Sequence, residues 1–263
     1  APATATTGRP ASVHALAVIA VRERPLVLTA GADGRPRAFD LREGTPCGPA
    51  FTPATTPVQA LATTFLDDGP VLVSAGTDGL LNLWDVESGA RRGLPLAGHV
   101  GGVNALACTT VGERPAVLSC GDDGSLRSWD LATGLPLAPP VQAHQGWATA
   151  LSCTMTDDGV PLAVTGGQDG AVRLWDLSDP QHIRGYGDPL PAVGGVNALA
   201  CGAGPDGPLV VSADDGAVRV WSPTAQDAVV SIGVPGAVQS LLACGDRLVL
   251  GCEWEIVVLR RVG

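Results

Sequence analysis

An Asp-Gly step returns along this chain at nearly constant intervals. Asp33-Gly34, Asp78-Gly79, Asp123-Gly124, Asp169-Gly170 and Asp215-Gly216 lie 45, 45, 46 and 46 residues apart. Six residues after each Asp stands an aromatic: Phe39, Trp84, Trp129, Trp175 and Trp221. In four of the five an Asp follows at once (Asp40, Asp85, Asp130, Asp176), and Ser222 breaks the rule. A period of this length marks an array of one supersecondary unit that cannot bury its apolar face alone, so neighbours must stack. Stacked arrays present broad surfaces suited to recognition, which weighs against a single buried catalytic pocket.

Aligning the repeats on the Asp-Gly step exposes a second column with six copies: Val13-His14-Ala15-Leu16, Val58-Gln59-Ala60-Leu61, Val103-Asn104-Ala105-Leu106, Ala148-Thr149-Ala150-Leu151, Val196-Asn197-Ala198-Leu199 and Val238-Gln239-Ser240-Leu241. The run Gly101 to Cys108 is repeated identically at Gly194 to Cys201. The sixth copy has lost its Asp-Gly, and Leu248 to Trp254 stands where Leu72 to Asp78 stands in the second. In the third repeat, Val103 to Cys108, Ala116 to Cys120, Leu126 to Leu131 and a weaker Leu137 to Ala143 read as strands. Gly112 to Pro115, Asp122-Asp123-Gly124 and Thr133-Gly134 read as the turns between them. Asp-Gly is the favoured pair of a two-residue hairpin turn, in which both residues take positive φ. No segment keeps a 3.6-residue period over the length of a helix.

Four strands in a unit of about 45 residues is the pattern of a β-propeller blade. Here the residues resemble the WD40 family. Gly98-His99, Ser119, Asp123 and Trp129-Asp130 match its blade motif, as do Ala143-His144, Thr165, Asp169 and Trp175-Asp176. The resemblance implies an all-β, WD40-type propeller, with residues 1–263 forming a single domain of six four-stranded blades; the alternative is part of a seven-bladed ring. It also implies a structural network in which His, Ser or Thr, Asp and Trp are hydrogen-bonded within a blade. Only the third and fourth repeats carry all four members; Arg9, Ala54 and Ala192 replace the His elsewhere. Thr4 to Thr7 aligns with the outer strand Leu94 to Ala97, so it is expected to pair with Ile256 to Arg260 and complete the last blade.

Composition removes several classes of function. The net charge is −10, and no basic stripe suited to nucleic acid appears. The longest apolar stretch, Ala15 to Val21, is seven residues, too short to cross a membrane as a helix. All 16 basic residues are arginine, so there is neither a Schiff-base nor a P-loop lysine. The seven cysteines form no C-x-x-C, and Cys108, Cys153 and Cys201 share one repeat position, as small core hydrophobes would. Their odd number favours a reducing, cytoplasmic setting, and a monomer is expected. The start at Ala1-Pro2-Ala3 leaves secretion after signal-peptide cleavage as the alternative.

The Asp-Gly turns lack the alternating oxygen ligands of a calcium loop, and His14 and His182 have no acid or Cys at ligand spacing, so no metal or cofactor is expected. No G-x-S-x-G nucleophile motif occurs. Two columns are unusual. The residue after each inner-strand Val is polar: His14, Gln59, Asn104, Thr149, Asn197 and Gln239. The residue before each turn Asp reads Ala32, Thr77, Asp122, Gln168, Asp214 and, in the degenerate sixth copy, Glu253. In the WD40 family these positions open onto the narrow face around the central channel. Relatives that bind phosphopeptides carry arginines there; this chain has none, so a phosphate ligand is disfavoured. Trp147 is the one aromatic in a column otherwise filled by Ser12, Pro57, Gly102 and Gly195. The expectation is a non-catalytic scaffold or sensing module holding a basic or neutral polypeptide on the narrow face. Trp147 would be its anchor and Asp122, Asp214 and Glu253 its charged rim. The resemblance places such arrays in larger bacterial regulatory proteins. The competing reading is a propeller enzyme or carbohydrate-binding protein using the central channel.

Overall fold

Apolar runs of five to nine residues, interrupted by Gly, Pro and Asp, can satisfy their backbone only by pairing with neighbours. The computed structural model shows how they do so and describes residues 12–192, 194–204, 207–223, 228–234, 236–244, 247–252 and 255–260. Every regular element among them is a β-strand. They form six antiparallel sheets, the blades of a six-bladed propeller. The inner strands are Val13–Val21, Val58–Leu66, Val103–Val111, Ala148–Met155, Ala198–Gly204 and Val238–Cys244, lying side by side in chain order. The second strands are Arg24–Gly31, Gly69–Gly76, Arg114–Gly121, Pro161–Gly167, Gly207–Ala213 and Arg247–Cys252. The third are Arg37–Asp40, Leu80–Asp85, Ser125–Asp130, Ala171–Asp176, Ala217–Trp221 and Glu255–Arg260.

The outer strands vary most. In blade 3 the outer strand is only Val141–Gln142, not the longer segment expected from Leu137. Pro136, Pro139 and Pro140 have no amide hydrogen to give to a ladder, which explains the loss. In blade 2, Arg91–Ala97 forms a seven-residue outer strand. Blade 6 has three strands among the described residues, and the expected pairing of Thr4 to Thr7 with Ile256 to Arg260 lies outside them.

Two kinds of turn differ from the expectation. Gly34, Gly79, Gly124 and Gly170 take positive φ, but the Asp before each does not. The amide of Gly124 donates to Gly121 O at 3.0 Å, so Asp123 and Gly124 end a four-residue turn. The Asp side chain is thereby free to turn inward. Tight turns with two positive-φ residues close the inner hairpins instead, at Arg22 (49°) and Glu23 (65°), and at Gly112 (54°) and Glu113 (66°).

Blades stack face on face through five apolar clusters. In the first, Ile19, Leu26 and Leu28 of blade 1 meet Leu61, Leu72 and Trp84 of blade 2. The others repeat this between blades 2 and 3, 3 and 4, 4 and 5, and 5 and 6. The face bearing Trp always looks back to the preceding blade; the face bearing branched aliphatics looks forward. Burial, as expected of core cysteines, pushes the Cys108 and Cys120 thiols up to about 12 and Cys201 up to about 11.

A candidate interaction surface

The repeated polar residues divide into a buried set that holds each blade and a set at one end of the inner strands. In blade 4, Trp175 Nε1 donates to Thr165 Oγ1 at 2.9 Å, which lies 2.8 Å from His144 Nε2. His144 Nδ1 is 2.8 Å from Asp169 Oδ1. A neutral imidazole with its proton on Nδ1 satisfies both contacts, donating to the carboxylate and accepting from the threonine hydroxyl. Blade 3 repeats the chain through Trp129, Ser119, His99 and Asp123, at 2.9, 2.7 and 3.1 Å. The expected networks are therefore present in both blades. Without the His, the inner arm survives: Trp84 donates to Ser74 and Trp221 to Ser212, each at 2.8 Å. In blade 2 the Thr55 hydroxyl reaches Asp78 at 3.3 Å and occupies part of the missing role.

Arginine is the partner that sequence reading missed. Arg37 pairs with Asp33 at 2.5 Å, Arg173 with Asp169 at 2.8 Å and Arg127 with Asp123 at 3.8 Å. The spacing of four residues was legible in the sequence. The second Asp of each Trp-Asp pair acts locally. In blade 3, Asp130 Oδ1 accepts the amides of Ala132 and Thr133 at 2.8 and 3.0 Å, capping the following turn.

These groups make stability depend on pH. Burial lowers the His99 and His144 pKa values, although Asp123 and Asp169 oppose it. Burial alone would raise Asp123, but the Val100 and Ser125 amides, the Ser125 hydroxyl and His99 outweigh it and bring the carboxyl to about 2. The unfolded chain takes up imidazole protons below about pH 6.5 while the folded chain resists them, so stability must fall as pH drops through that value. Protonation of Asp123 extends the loss from about pH 4 towards 2. Urea unfolding across pH 8 to 3 should show a plateau above pH 7 and a decline below about pH 6.5. His99→Asn with His144→Asn should flatten the first part of that decline; an unchanged slope would remove the imidazoles from the account.

The second polar set is created by a backbone irregularity. The inner strands of blades 1, 2, 3, 4 and 6 each carry a register shift at the residue after the Val-column position. The extra residues are His14, Gln59, Asn104, Thr149 and Gln239. A bulge re-aims its side chain out of the pleat. Three of them reach the next blade. His14 Nδ1 lies 3.2 Å from Val58 O, Asn104 Nδ2 donates to Ala148 O at 3.1 Å, and Thr149 Oγ1 donates to Val196 O. These three polar side chains, read from sequence as open to a partner, also join blades; His14 is exposed, and Asn104 and Thr149 are half-buried. Gln59 is half-buried and Gln239 exposed.

Blade 5 departs from the period. Its inner-strand ladder begins at Ala198, past the bulge position, and the turn into its third strand is one residue shorter: four residues separate the paired Ala213 and Val218 where five separate Cys120 and Leu126, and Asp214 N donates to Ala217 O at 3.0 Å. The two acids thereby exchange places. Asp214 is buried, pairs with Arg219 and accepts the Gly216 and Ala217 amides at 3.1 and 2.8 Å. It is not part of an exposed rim, contrary to the sequence expectation. Asp215 is exposed instead and accepts Asn197 Nδ2 at 2.7 Å, as Asp122 accepts Asn104 Nδ2 at 3.0 Å. Glu253 lies outside the described residues.

Of the described residues singled out in the two columns, His14, Thr77, Gln168, Asn197 and Gln239 are exposed, Gln59, Asn104, Asp122 and Thr149 are half-buried and Asp214 alone is buried; Trp147 is 50% exposed. A Cβ at Gly102 would lie 3.5 Å from Thr77 Cα and 3.0 Å from Asp122 Oδ2; one at Gly195 would lie 3.5 Å from Gln168 Cα. Each points at the turn of the preceding blade. Trp147 stands at the equivalent position before blade 4, and its carbonyl accepts Gln168 N at 3.0 Å. Among the described residues no group of His, Cys, Asp and Glu is placed to hold a metal ion.

A family model described as WD domain, G-beta repeat, matches residues 47–85, 92–130, 139–176 and 191–222. These matches fall on blades 2 to 5 and take in the Trp, Ser or Thr, and turn acids described above. No curated protein matches the chain significantly.

Proposed function

The chain belongs to the WD40 repeat family, and from that premise we propose that it is a non-catalytic scaffold or sensing module that holds a partner polypeptide at the narrow-face end of its inner strands. Propellers of this family commonly serve as protein-interaction scaffolds. The observation that carries the reading is Trp147, half exposed at a position where the neighbouring repeats have glycine. A large exposed indole on a rigid support is a strong anchor, because little side-chain entropy remains to be lost on binding. Asp122 in the turn of blade 3 and the exposed Asp215 in blade 5 give this end a negative character, which favours a basic or neutral segment.

The test uses displayed random 12-residue peptides as probes, selected against the whole chain. Basic sequences should be enriched. For a selected peptide, Trp147→Ala should weaken binding by about 2 kcal/mol or more, roughly thirtyfold. Asp122→Asn with Asp215→Asn should chiefly slow association and flatten its salt dependence. Arg22 and Glu113, at the hairpin tips, mark the far end of the inner strands. The reading fails if substitutions there abolish binding while the Trp147 variant binds like wild type.

A further inference from the structure

Trp147 ends a short segment that crosses from the turn of blade 3 to the turn of blade 4. On the blade 3 side, the Ala143 and His144 amides both donate to Gly124 O, at 2.9 and 3.0 Å. On the blade 4 side, the Gln145 amide donates to Asp169 Oδ2 at 3.2 Å, and Trp147 O accepts Gln168 N at 3.0 Å. The His144 imidazole roots the segment in the blade. Its two nitrogens meet Thr165 and Asp169, each at 2.8 Å. The ring lies against the bare backbone of Gly167, where an added Cβ would come within 2.4 Å of His144 Cγ and Nδ1. Arg173 Nη1 closes the cluster, 2.8 Å from Asp169 Oδ2 and 2.8 Å from His144 Nδ1. One carboxylate therefore holds the imidazole with one oxygen, and the loop amide and the guanidinium with the other.

Blade 3 builds the same cluster from His99, Asp123 and Arg127, with the Val100 amide on Asp123 Oδ2 at 3.0 Å. There the segment ends at Gly102, which has no side chain to aim. In blade 4 the same anchorage ends in a half-exposed indole. Gly146 (φ 97°) comes just before it, and glycine leaves the chain many conformations, so order at Trp147 must come from the anchors on either side. We propose that His144, Asp169 and Arg173 are the positioning residues of the interaction surface: they fix the backbone that carries Trp147, and their integrity sets its affinity for a partner polypeptide. Their side chains are 0%, 13% and 26% exposed, so they act through the segment rather than by touch. An anchor whose support is already ordered loses less freedom when a partner arrives, and that saving appears as affinity. The proposal rests on the reading of Trp147 as the anchor.

The experiment uses the full chain with fluorotryptophan in place of tryptophan, the Trp147 fluorine resonance being assigned by Trp147→Phe. The variants are His144→Asn and Asp169→Asn; His99→Asn, which removes the matching imidazole of blade 3, is the control. Circular dichroism establishes that each is folded at the measuring temperature. The Trp147 resonance should shift or broaden in His144→Asn and Asp169→Asn and keep its place in His99→Asn. For a 12-residue peptide selected by display against the wild-type chain, the first two should weaken binding by about tenfold or more, and the control by less than about twofold. A second measurement needs no variant. In the wild-type chain the Gln145 and Gln168 amides, which tie the two ends of one segment, should exchange with deuterium at opening rates that agree within about threefold. The proposal is overturned if the Trp147 resonance ignores both variants, if His99→Asn moves it as far, if a Trp147-dependent peptide binds both variants like wild type, or if the two amides exchange independently. If the resonance responds as expected but Trp147→Ala leaves peptide binding unchanged, the positioning of Trp147 stands and the reading of the surface fails.

Discussion

Trp84→Ala should lower the free energy of unfolding by about 3–5 kcal/mol, the range for removing a fully buried aromatic from a packed core. Trp84 is 0% exposed and lies in the cluster that joins blades 1 and 2. Phe51 meets it edge-on at 6.4 Å between centroids, and the Arg91 guanidinium sits 5.0 Å above its ring. Truncation opens a cavity between two blades and leaves the buried Ser74 hydroxyl without the indole N–H that it accepts at 2.8 Å. Trp84→Phe should cost less, about 1–3 kcal/mol, because ring volume survives and mainly the hydrogen bond is lost. Urea denaturation followed by circular dichroism measures both. Equal losses for the two variants would show that packing is not the larger contribution.

The second large effect separates two adjacent acids. Asp214→Asn should cost about 3–5 kcal/mol, since it leaves the Arg219 guanidinium charged and buried without its counter-charge. Asp215→Asn, at an exposed position, should cost within about 1 kcal/mol. The repeat period alone assigns the structural role to Asp215, the residue in register with Asp123 and Asp169, and so predicts the opposite order. Adding Arg219→Leu to Asp214→Asn should recover much of the loss, because an uncharged pair no longer carries the cost of burying an ion. Equal costs at 214 and 215 would place the two acids in equivalent environments and contradict the altered turn.

The reason that period misleads at Asp215 also explains which features could be read from the chain. Repeat length, blade order and the His99 and His144 networks were legible because each depends on residue type at fixed spacing. Arg37, Arg127, Arg173 and Arg219 recur on the same spacing, so their pairing with the turn acids was available as well. One residue fewer in the turn between the second and third strands of blade 5 exchanges Asp214 with Asp215. Bulges leave little trace in side-chain pattern, since the extra residue is polar whether it faces solvent or a neighbouring carbonyl. For the same reason the bonds of His14, Asn104 and Thr149 to the next blade could not be read from their residue types. Thr55 shows another limit: it serves Asp78 from 23 residues away, in a segment where Ala54 holds the place of the usual His. Trp147 was legible as an exposed aromatic, because one bulky residue in a column of small ones has no blade core to enter.

The links from Asn104 and Thr149 to the following blade have a consequence for how such a chain can change over time. Each link is a side chain reaching forward to a main-chain oxygen. Every residue type offers that oxygen, so the receiving blade need not co-vary with the donor. A repeat therefore carries its own fastener and asks only for a carbonyl at the right height. Gene segments encoding one repeat can be copied, lost or exchanged without rewriting the junction, and the identical eight residues at Gly101 to Cys108 and Gly194 to Cys201 are what recent copying within such a modular chain would leave behind.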